Sequence, residues 1–144
     1  MIVEVVCHAN ICRSPVAAAF LERAAGFQVR SSGLLATPGL PADARMREWL
    51  GDKLPSLHLH RSTRFGPQRL PTADLILVME RDQRLRVINL VPHMAGRTML
   101  FGQWLAGEQD ITDPHGLSDE KYTIAIERLR DAAVTWIERL ARMS

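Results

Sequence analysis

The sequence is poor in cysteine, net charge and long apolar runs, and each shortage excludes a class of protein. Its 144 residues include only two cysteines, whereas a secreted disulfide scaffold would carry more. The formal net charge is only +2 and the arginines are scattered, so no basic stripe for nucleic acid is predicted. The longest apolar run, residues 75–79, is far below the ~20 residues that cross a bilayer, so no membrane insertion is expected.

What the chain does contain is the composition of an ordinary globular protein. Hydrophobic residues make up 47% and charged residues 24%, and the length predicts a single domain over residues 1–144. Residues 1–6 have no basic start and their apolar run is interrupted by Glu4, which is not typical of a signal peptide. We therefore expect a cytoplasmic, reducing location, where Cys7 and Cys12 are free thiols.

Strands and helices are predicted to alternate along the chain, which indicates an α/β fold with a parallel sheet. Ligands of such sheets bind outside the carboxyl ends of the strands, so the loop after the first strand is the first candidate site. The helix that leaves this loop is predicted to have Ser14 as its N-cap and Pro15 as its first residue. The predicted strands are 2–6, 27–31, 74–79 and 97–101, and further helices are predicted at 42–50, at 81–90 and after Ser118.

The loop after the first strand combines a cysteine, Cys7, with an arginine six positions later, Arg13. Backbone N–H groups at the start of the following helix point into such a loop and bind an oxyanion there. Arg13 adds a planar fork for two phosphate oxygens, and a positive field favours the reactive thiolate of Cys7. The Ser14 hydroxyl could donate a hydrogen bond to the sulfur. The spacing alone would also suit a buried cysteine and a surface arginine, but strand, loop and capped helix together favour a phosphate site.

Residues 7–15, Cys-His-Ala-Asn-Ile-Cys-Arg-Ser-Pro, resemble the signature loop of the low-molecular-weight protein tyrosine phosphatases. Residues 99–104 resemble the bacterial branch of that family that is encoded beside exopolysaccharide or capsule export machinery. The resemblance implies a three-layer α/β/α, Rossmann-like fold with a four-stranded parallel sheet of order 2-1-3-4 and a phosphate-binding loop after strand 1. Further matches along the chain are Ser31-Ser32-Gly33, His60, residues 74–79 and Asp113-Pro114.

The resemblance also implies a role for each matching residue, without cofactor or metal. Cys7 is the expected nucleophile, Arg13 holds the phosphoryl oxygens, and Asp113 is the general acid. The phosphate-binding loop comprises His8, Ala9, Asn10, Ile11, Cys12 and Ser14, the supporting residues are Ser31, His60 and Pro114, and our candidates for the substrate-pocket wall are Leu34, Leu35 and His115.

Three positions depart from the family pattern. Ala9 stands where the family usually has glycine, which limits the loop to backbone angles that a Cβ allows. His115 replaces the aromatic residue that usually follows the Asp-Pro pair, which alters the pocket wall rather than the chemistry. Thr63 replaces a residue that is commonly basic.

Several alternatives remain open from the sequence. Cys12 could form a reversible disulfide with Cys7 or simply pack under the loop. An arsenate reductase that ends in an intramolecular disulfide needs later cysteines, and none follows Cys12, although a glutathione- or mycothiol-assisted route stays open. Arginine-phosphate phosphatases of the family typically have threonine where Ile11 stands. A phosphocarrier or phosphate-sensing module would not need a general acid such as Asp113.

The resemblance implies the partner as well. In the exopolysaccharide and capsule branch, the substrate is a phosphotyrosine protein, namely a membrane tyrosine autokinase with a tyrosine-rich cytoplasmic tail. The phosphate-binding loop itself is expected to hold phosphate or a similar oxyanion.

Overall fold

In the computed structural model, which describes residues 1–24, 26–68 and 73–143, strands and α-helices alternate as predicted. In chain order the elements are β1 (Ile2–Cys7), α1 (Arg13–Glu22), β2 (Gln28–Gly33), α2 (Ala44–Leu50), β3 (Leu75–Val78), α3 (Arg81–Leu90), β4 (Thr98–Leu100) and α4 (Asp119–Met143). Short 3₁₀ helices cover Pro55–His58 and Pro92–Arg97. None of the helices in the described ranges is long and apolar enough to cross a membrane.

The four strands form one parallel sheet in the order β2-β1-β3-β4, which confirms the order that the resemblance implied. Cys7 at the end of β1 pairs with Gly33 at the end of β2, and Val6 pairs with Val78 at the end of β3. The carboxyl ends of these strands therefore lie level. The strand order reverses between β1 and β3. In open α/β folds, ligands usually bind beside the carboxyl ends of the strands at such a point.

Alternate strand residues pack in two separate cores, one on each face of the sheet. Val5 and Leu77 belong to the core that also includes residues of α1 and α4. Val6 and Val78 belong to the second core, together with Val87 of α3. The sheet is thus the middle of three layers, as expected.

The start of α1 differs from the prediction. The helix begins at Arg13 with Cys12 as its N-cap residue, and no side chain in the described part of the structure caps it. The prediction that Ser14 is the N-cap is therefore wrong. The Ser14 hydroxyl instead lies 3.0 Å from Cys7 Sγ and accepts a hydrogen bond from the Asn10 side chain. Tertiary contacts at the loop have taken the hydroxyl that local propensity would assign to the cap.

Two other helices do begin with side-chain caps. Asp43 Oδ1 accepts a hydrogen bond from Met46 N in the first turn of α2. Ser118 Oγ accepts one from Lys121 N, which confirms the predicted cap of α4. The two caps fix where the loops that lead into α2 and α4 meet their helices.

Candidate functional site

The loop between β1 and α1 lies directly against the carboxyl end of β2. Leu34 N donates to Cys7 O at 3.0 Å and Leu35 N donates to His8 O at 2.9 Å. A Cβ on Gly33 would lie only 2.7 Å from His8 O, closer than side-chain atoms come to backbone. Glycine at this position therefore lets the loop backbone approach β2 closely enough for these hydrogen bonds.

Asn10 holds the middle of the loop in a strained conformation. Its φ of 59° makes it the sole non-glycine residue in the left-handed region within the described ranges. The Asn10 amide donates to Ser14 Oγ and Ser31 Oγ, and its Oδ1 accepts from Thr63 N. His60 Nε2 donates to Asn10 O at 2.7 Å. These contacts compensate the strain and keep one loop shape.

The same contacts account for two departures from the family pattern. Thr63 bonds to Asn10 through its backbone N–H, so this contact does not depend on the residue type at position 63. Ala9 does not adopt a positive φ, because among the described non-glycine residues only Asn10 does. A methyl group at position 9 therefore imposes no backbone strain on the loop.

Cys7 lies at the bottom of the loop, with 2% of its surface exposed. Its Sγ lies 3.0 Å from Ser14 Oγ and accepts a hydrogen bond from Asn10 N at 3.3 Å. Both groups can donate a hydrogen bond to the sulfur. These two contacts hold the sulfur in place at the base of the loop.

Arg13 is 3% exposed, and its guanidinium is anchored through Nη1. Nη1 donates to Ile111 O at 2.8 Å and to Glu80 Oε2 at 3.1 Å. Nε is buried and has no hydrogen-bond partner among the residues that the structure describes. A buried N–H without a partner is costly, so this edge of the guanidinium is suited to bind an oxyanion.

Asp113 brings a carboxylate to the mouth of the loop. Its Oδ2 lies 3.8 Å from Arg13 Nη2, and the side chain is 44% exposed. Its Oδ1 accepts a hydrogen bond from His115 N, while Pro114 between them is buried. A half-exposed carboxylate beside a buried guanidinium can exchange protons with a bound group and with water.

A small cavity of about 30 Å³ joins these groups. Its lining residues are Cys7, Ala9, Ile11, Cys12, Arg13, Asp113 and His115. Two predicted wall residues lie elsewhere. Leu34 is 5% exposed and packs in the core beneath α3, so its assignment to the wall is corrected. Leu35 is 46% exposed and is not part of the lining. His8 is exposed and lines an adjoining cleft, which also includes Glu80.

Glu80, Asp43 and Tyr122 are site residues that the sequence analysis did not identify. Glu80 orients Arg13, and Asp43 accepts hydrogen bonds from His115 and Tyr122. Two of these residues could have been identified from their positions in the sequence. Glu80 directly follows a buried strand, where ligand-binding residues are common, and Asp43 precedes a helix as a favourable N-cap residue.

We expect His60 to make the free energy of unfolding depend on pH. Burial lowers its pKa below the ordinary 6.5, the hydrogen bond to Asn10 partly offsets this, and nearby Arg61 lowers it further. The unfolded chain therefore binds a proton more readily than the folded protein, so the free energy of unfolding falls as pH drops below about 6.5. In His60→Gln, whose amide can still donate to Asn10 O, the part of this fall that comes from protonation of His60 is absent. Urea unfolding of both proteins between about pH 8 and about pH 5 measures it, and parallel pH profiles would contradict the assignment.

Comparison with known proteins gives consistent matches over almost the whole chain. The model of the family described as low molecular weight phosphotyrosine protein phosphatase matches residues 2–144. The low molecular weight protein-tyrosine-phosphatase Etp of Escherichia coli K12 is 35% identical over 139 residues, covering 96% of this chain and 93% of Etp.

Two solved structures are similar to the whole fold. Vibrio vulnificus Wzb in complex with benzylphosphonate has a TM-score of 0.89 and 33% identity, and the match covers 96% of this chain and 97% of Wzb. The YwlE arginine phosphatase from Geobacillus stearothermophilus has a TM-score of 0.87 and 28% identity, covering 99% of this chain and 94% of YwlE.

Proposed function

The chain belongs to the low molecular weight phosphotyrosine protein phosphatase family, and on that premise we propose that it hydrolyses phosphotyrosine in proteins through a phosphocysteine on Cys7. The observation that carries this proposal is the unpartnered, buried Nε of Arg13. Arg13 lines the same small cavity as Cys7 and Asp113, so a nucleophile, an oxyanion donor and an acid surround one space.

In the first step the Cys7 thiolate attacks phosphorus, an S–P bond forms, and the bond from phosphorus to the phenolic oxygen breaks. Asp113 transfers its proton to the leaving phenolate. The backbone amides of residues 8–13 and the free edge of Arg13 stabilise the charge that spreads over the three phosphoryl oxygens.

In the second step a water molecule attacks the phosphorus of the phosphocysteine. The Asp113 carboxylate accepts a proton from that water, the S–P bond breaks, and inorganic phosphate leaves. The Ser14 hydroxyl and Asn10 N stabilise the Cys7 thiolate that forms again, because both lie within hydrogen-bond distance of Sγ.

The substrate class follows from the residues around the cavity. Ile11 supplies an apolar wall where arginine phosphatases of this family typically have threonine, which favours an aryl phosphate. The similarity to Wzb and Etp supports a bacterial tyrosine autokinase of polysaccharide export as the protein substrate. Cys7 is a free cysteine, which supports our proposal that the protein works in the reducing cytoplasm. We also propose that residues 1–144 form one phosphatase domain.

The experiment compares phosphate release from three peptides that carry phosphotyrosine, phosphoserine or phosphoarginine, with EDTA present throughout. We expect kcat/KM for phosphotyrosine to exceed the other two by at least about 100-fold, since the site is complementary to an aryl phosphate transition state. Preferential release from phosphoarginine would contradict the substrate class. Absence of release from all three would contradict the proposed function.

We expect Cys12 to protect the nucleophile, Cys7, against irreversible oxidation by peroxide. Burial raises the pKa of the Cys12 thiol, and Asp43 and Asp113 raise it further, so Cys12 stays neutral and does not compete with Cys7 in catalysis. When peroxide converts Cys7 to a sulfenic acid, Cys12 can condense with it to a disulfide and release water. A thiol reductant should then restore several-fold more activity in the wild type than in Cys12→Ser. Equal recovery would limit Cys12 to packing.

A further inference from the structure

A buried carboxylate, Asp43, joins the two loops of the site. Its Oδ2 accepts hydrogen bonds from His115 Nδ1 at 2.6 Å and from Tyr122 Oη at 2.7 Å. Its Oδ1 accepts from Met46 N, and its own backbone N–H donates to Ile11 O at 2.7 Å. Asp43 thus contacts the phosphate-binding loop through its backbone and the Asp113 loop through its side chain.

The Asp43 side chain is 4% exposed, yet it remains ionised. Burial alone raises its pKa, but the hydrogen bonds from Tyr122, Met46 N and His115 outweigh burial and lower the pKa below 3.8. Because an ionised carboxylate only accepts, His115 Nδ1 carries the proton in this bond. The orientation of the imidazole is therefore set by a charged acceptor.

Side chains hold the Asp113 loop on both sides of the acid. Before the acid, Arg13 Nη1 donates to Ile111 O at 2.8 Å. Asp113 Oδ2 lies 3.8 Å from Arg13 Nη2, beyond hydrogen-bond distance, and Asp113 Oδ1 accepts from His115 N within the same turn. Arg45 Nη1 donates to Leu117 O further along the loop. The bond between His115 and Asp43 is therefore a short, charge-assisted contact that holds the loop on the carboxyl-terminal side of the acid.

We propose that Asp43 and His115 are positioning residues that hold Asp113 at the correct distance from the phosphoryl group. The proposal rests on the proposed function, in which Asp113 is the general acid. Asp43 contacts both loops, so the pair sets the separation between Cys7 and Asp113. A phenylalanine at position 115 has no ring donor for Asp43, so the histidine that departs from the family pattern has a definite function here.

The expected effect depends on the leaving group, which separates positioning from general loss of structure. General acid catalysis contributes about 10²- to 10⁴-fold, and a misplacement of about 1 Å can cost about 10²-fold. His115→Ala should therefore lower kcat/KM for phenyl phosphate, which reports formation of the phosphocysteine, by about 10-fold or more. For p-nitrophenyl phosphate, whose leaving group needs little protonation, the loss of kcat/KM should stay within about 3-fold. The variant His115→Asn, whose Nδ2 can replace Nδ1 as donor, should recover most of the rate.

The test is a double-mutant cycle with His115→Ala, Asp113→Ala and the double variant, each assayed with both substrates. If His115 acts through Asp113, its substitution costs nothing further for phenyl phosphate once Asp113 is alanine. Arg45→Ala is the control, because it removes a side-chain hydrogen bond to the same loop further from the acid, from Arg45 Nη1 to Leu117 O at 2.9 Å. Its effect on kcat/KM should not depend on the leaving group.

Two results would overturn the positioning role. One is an equal loss from His115→Ala in the wild-type and Asp113→Ala backgrounds, which would indicate direct contact with substrate. The other is an equal loss with both substrates. If Asp113→Ala by itself shows no dependence on the leaving group, the general acid of the proposed function fails instead.

Discussion

Replacing Cys7 by serine should lower kcat by about 10⁴-fold or more while phosphate still binds. A hydroxyl at this buried position is a far weaker nucleophile than a thiolate, and the groups around it stabilise an anion on sulfur. The oxyanion donors, namely the loop amides and Arg13, remain in place. Steady-state release of p-nitrophenol at mildly acidic pH measures turnover, and calorimetric titration with inorganic phosphate measures binding.

Cys12→Ser is the matched control for this prediction. It makes the same chemical change at a second buried cysteine that lines the same cavity. We expect it to keep the turnover that Cys7→Ser loses, because Cys12 forms no bond to phosphorus in the proposed reaction. Substantial turnover in Cys7→Ser would contradict the assignment of Cys7 as the nucleophile.

Replacing Asp113 by alanine should lower kcat/KM for phenyl phosphate by about 10²- to 10⁴-fold and kcat/KM for p-nitrophenyl phosphate far less. Phenolate is a poor leaving group and needs a proton as the P–O bond breaks, whereas p-nitrophenolate leaves readily without one. For a series of substituted phenyl phosphates, kcat/KM is plotted against the pKa of the leaving phenol. The difference appears as a steeper slope in the variant.

Asp110→Ala is a suitable control for Asp113→Ala. Asp110 lies three residues earlier, and its carboxylate pairs with exposed Arg81 rather than lining the catalytic cavity. Its loss should leave the slope of the series unchanged. If Asp113→Ala slows all the substrates equally, another group supplies the proton.

Much of the fold could be predicted from the sequence because its signals are local and repeated. The amphipathic pattern of residues 81–90 predicts α3 with the bounds that the structure shows. The apolar run around residues 75–78 predicts β3, which is covered by helices on both faces. The start of α1 could not be predicted, because the Ser14 hydroxyl is used by Cys7 and Asn10 instead of by its own helix.

Some residues of the site could likewise be predicted from a local sequence pattern, whereas others could not. Cys7 and Arg13 belong to one continuous loop, so a local pattern could identify them. Glu80 contacts Arg13 across 67 positions and Asp43 contacts His115 across 72, so only the tertiary structure brings them together. Leu34 was misassigned because the sequence does not show which face of the sheet a residue after a strand end will join.

The most direct test of the central claim is to identify the residue that carries the phosphoryl group during turnover. Asp113→Ala treated with p-nitrophenyl phosphate should accumulate the intermediate, because its formation needs little acid catalysis while its hydrolysis lacks the base. After an acid quench, peptide mass spectrometry should find one phosphoryl group on Cys7, and Cys7→Ser should carry none. A phosphoryl group on any other residue, or turnover of the variant with none on Cys7, would contradict the phosphocysteine mechanism.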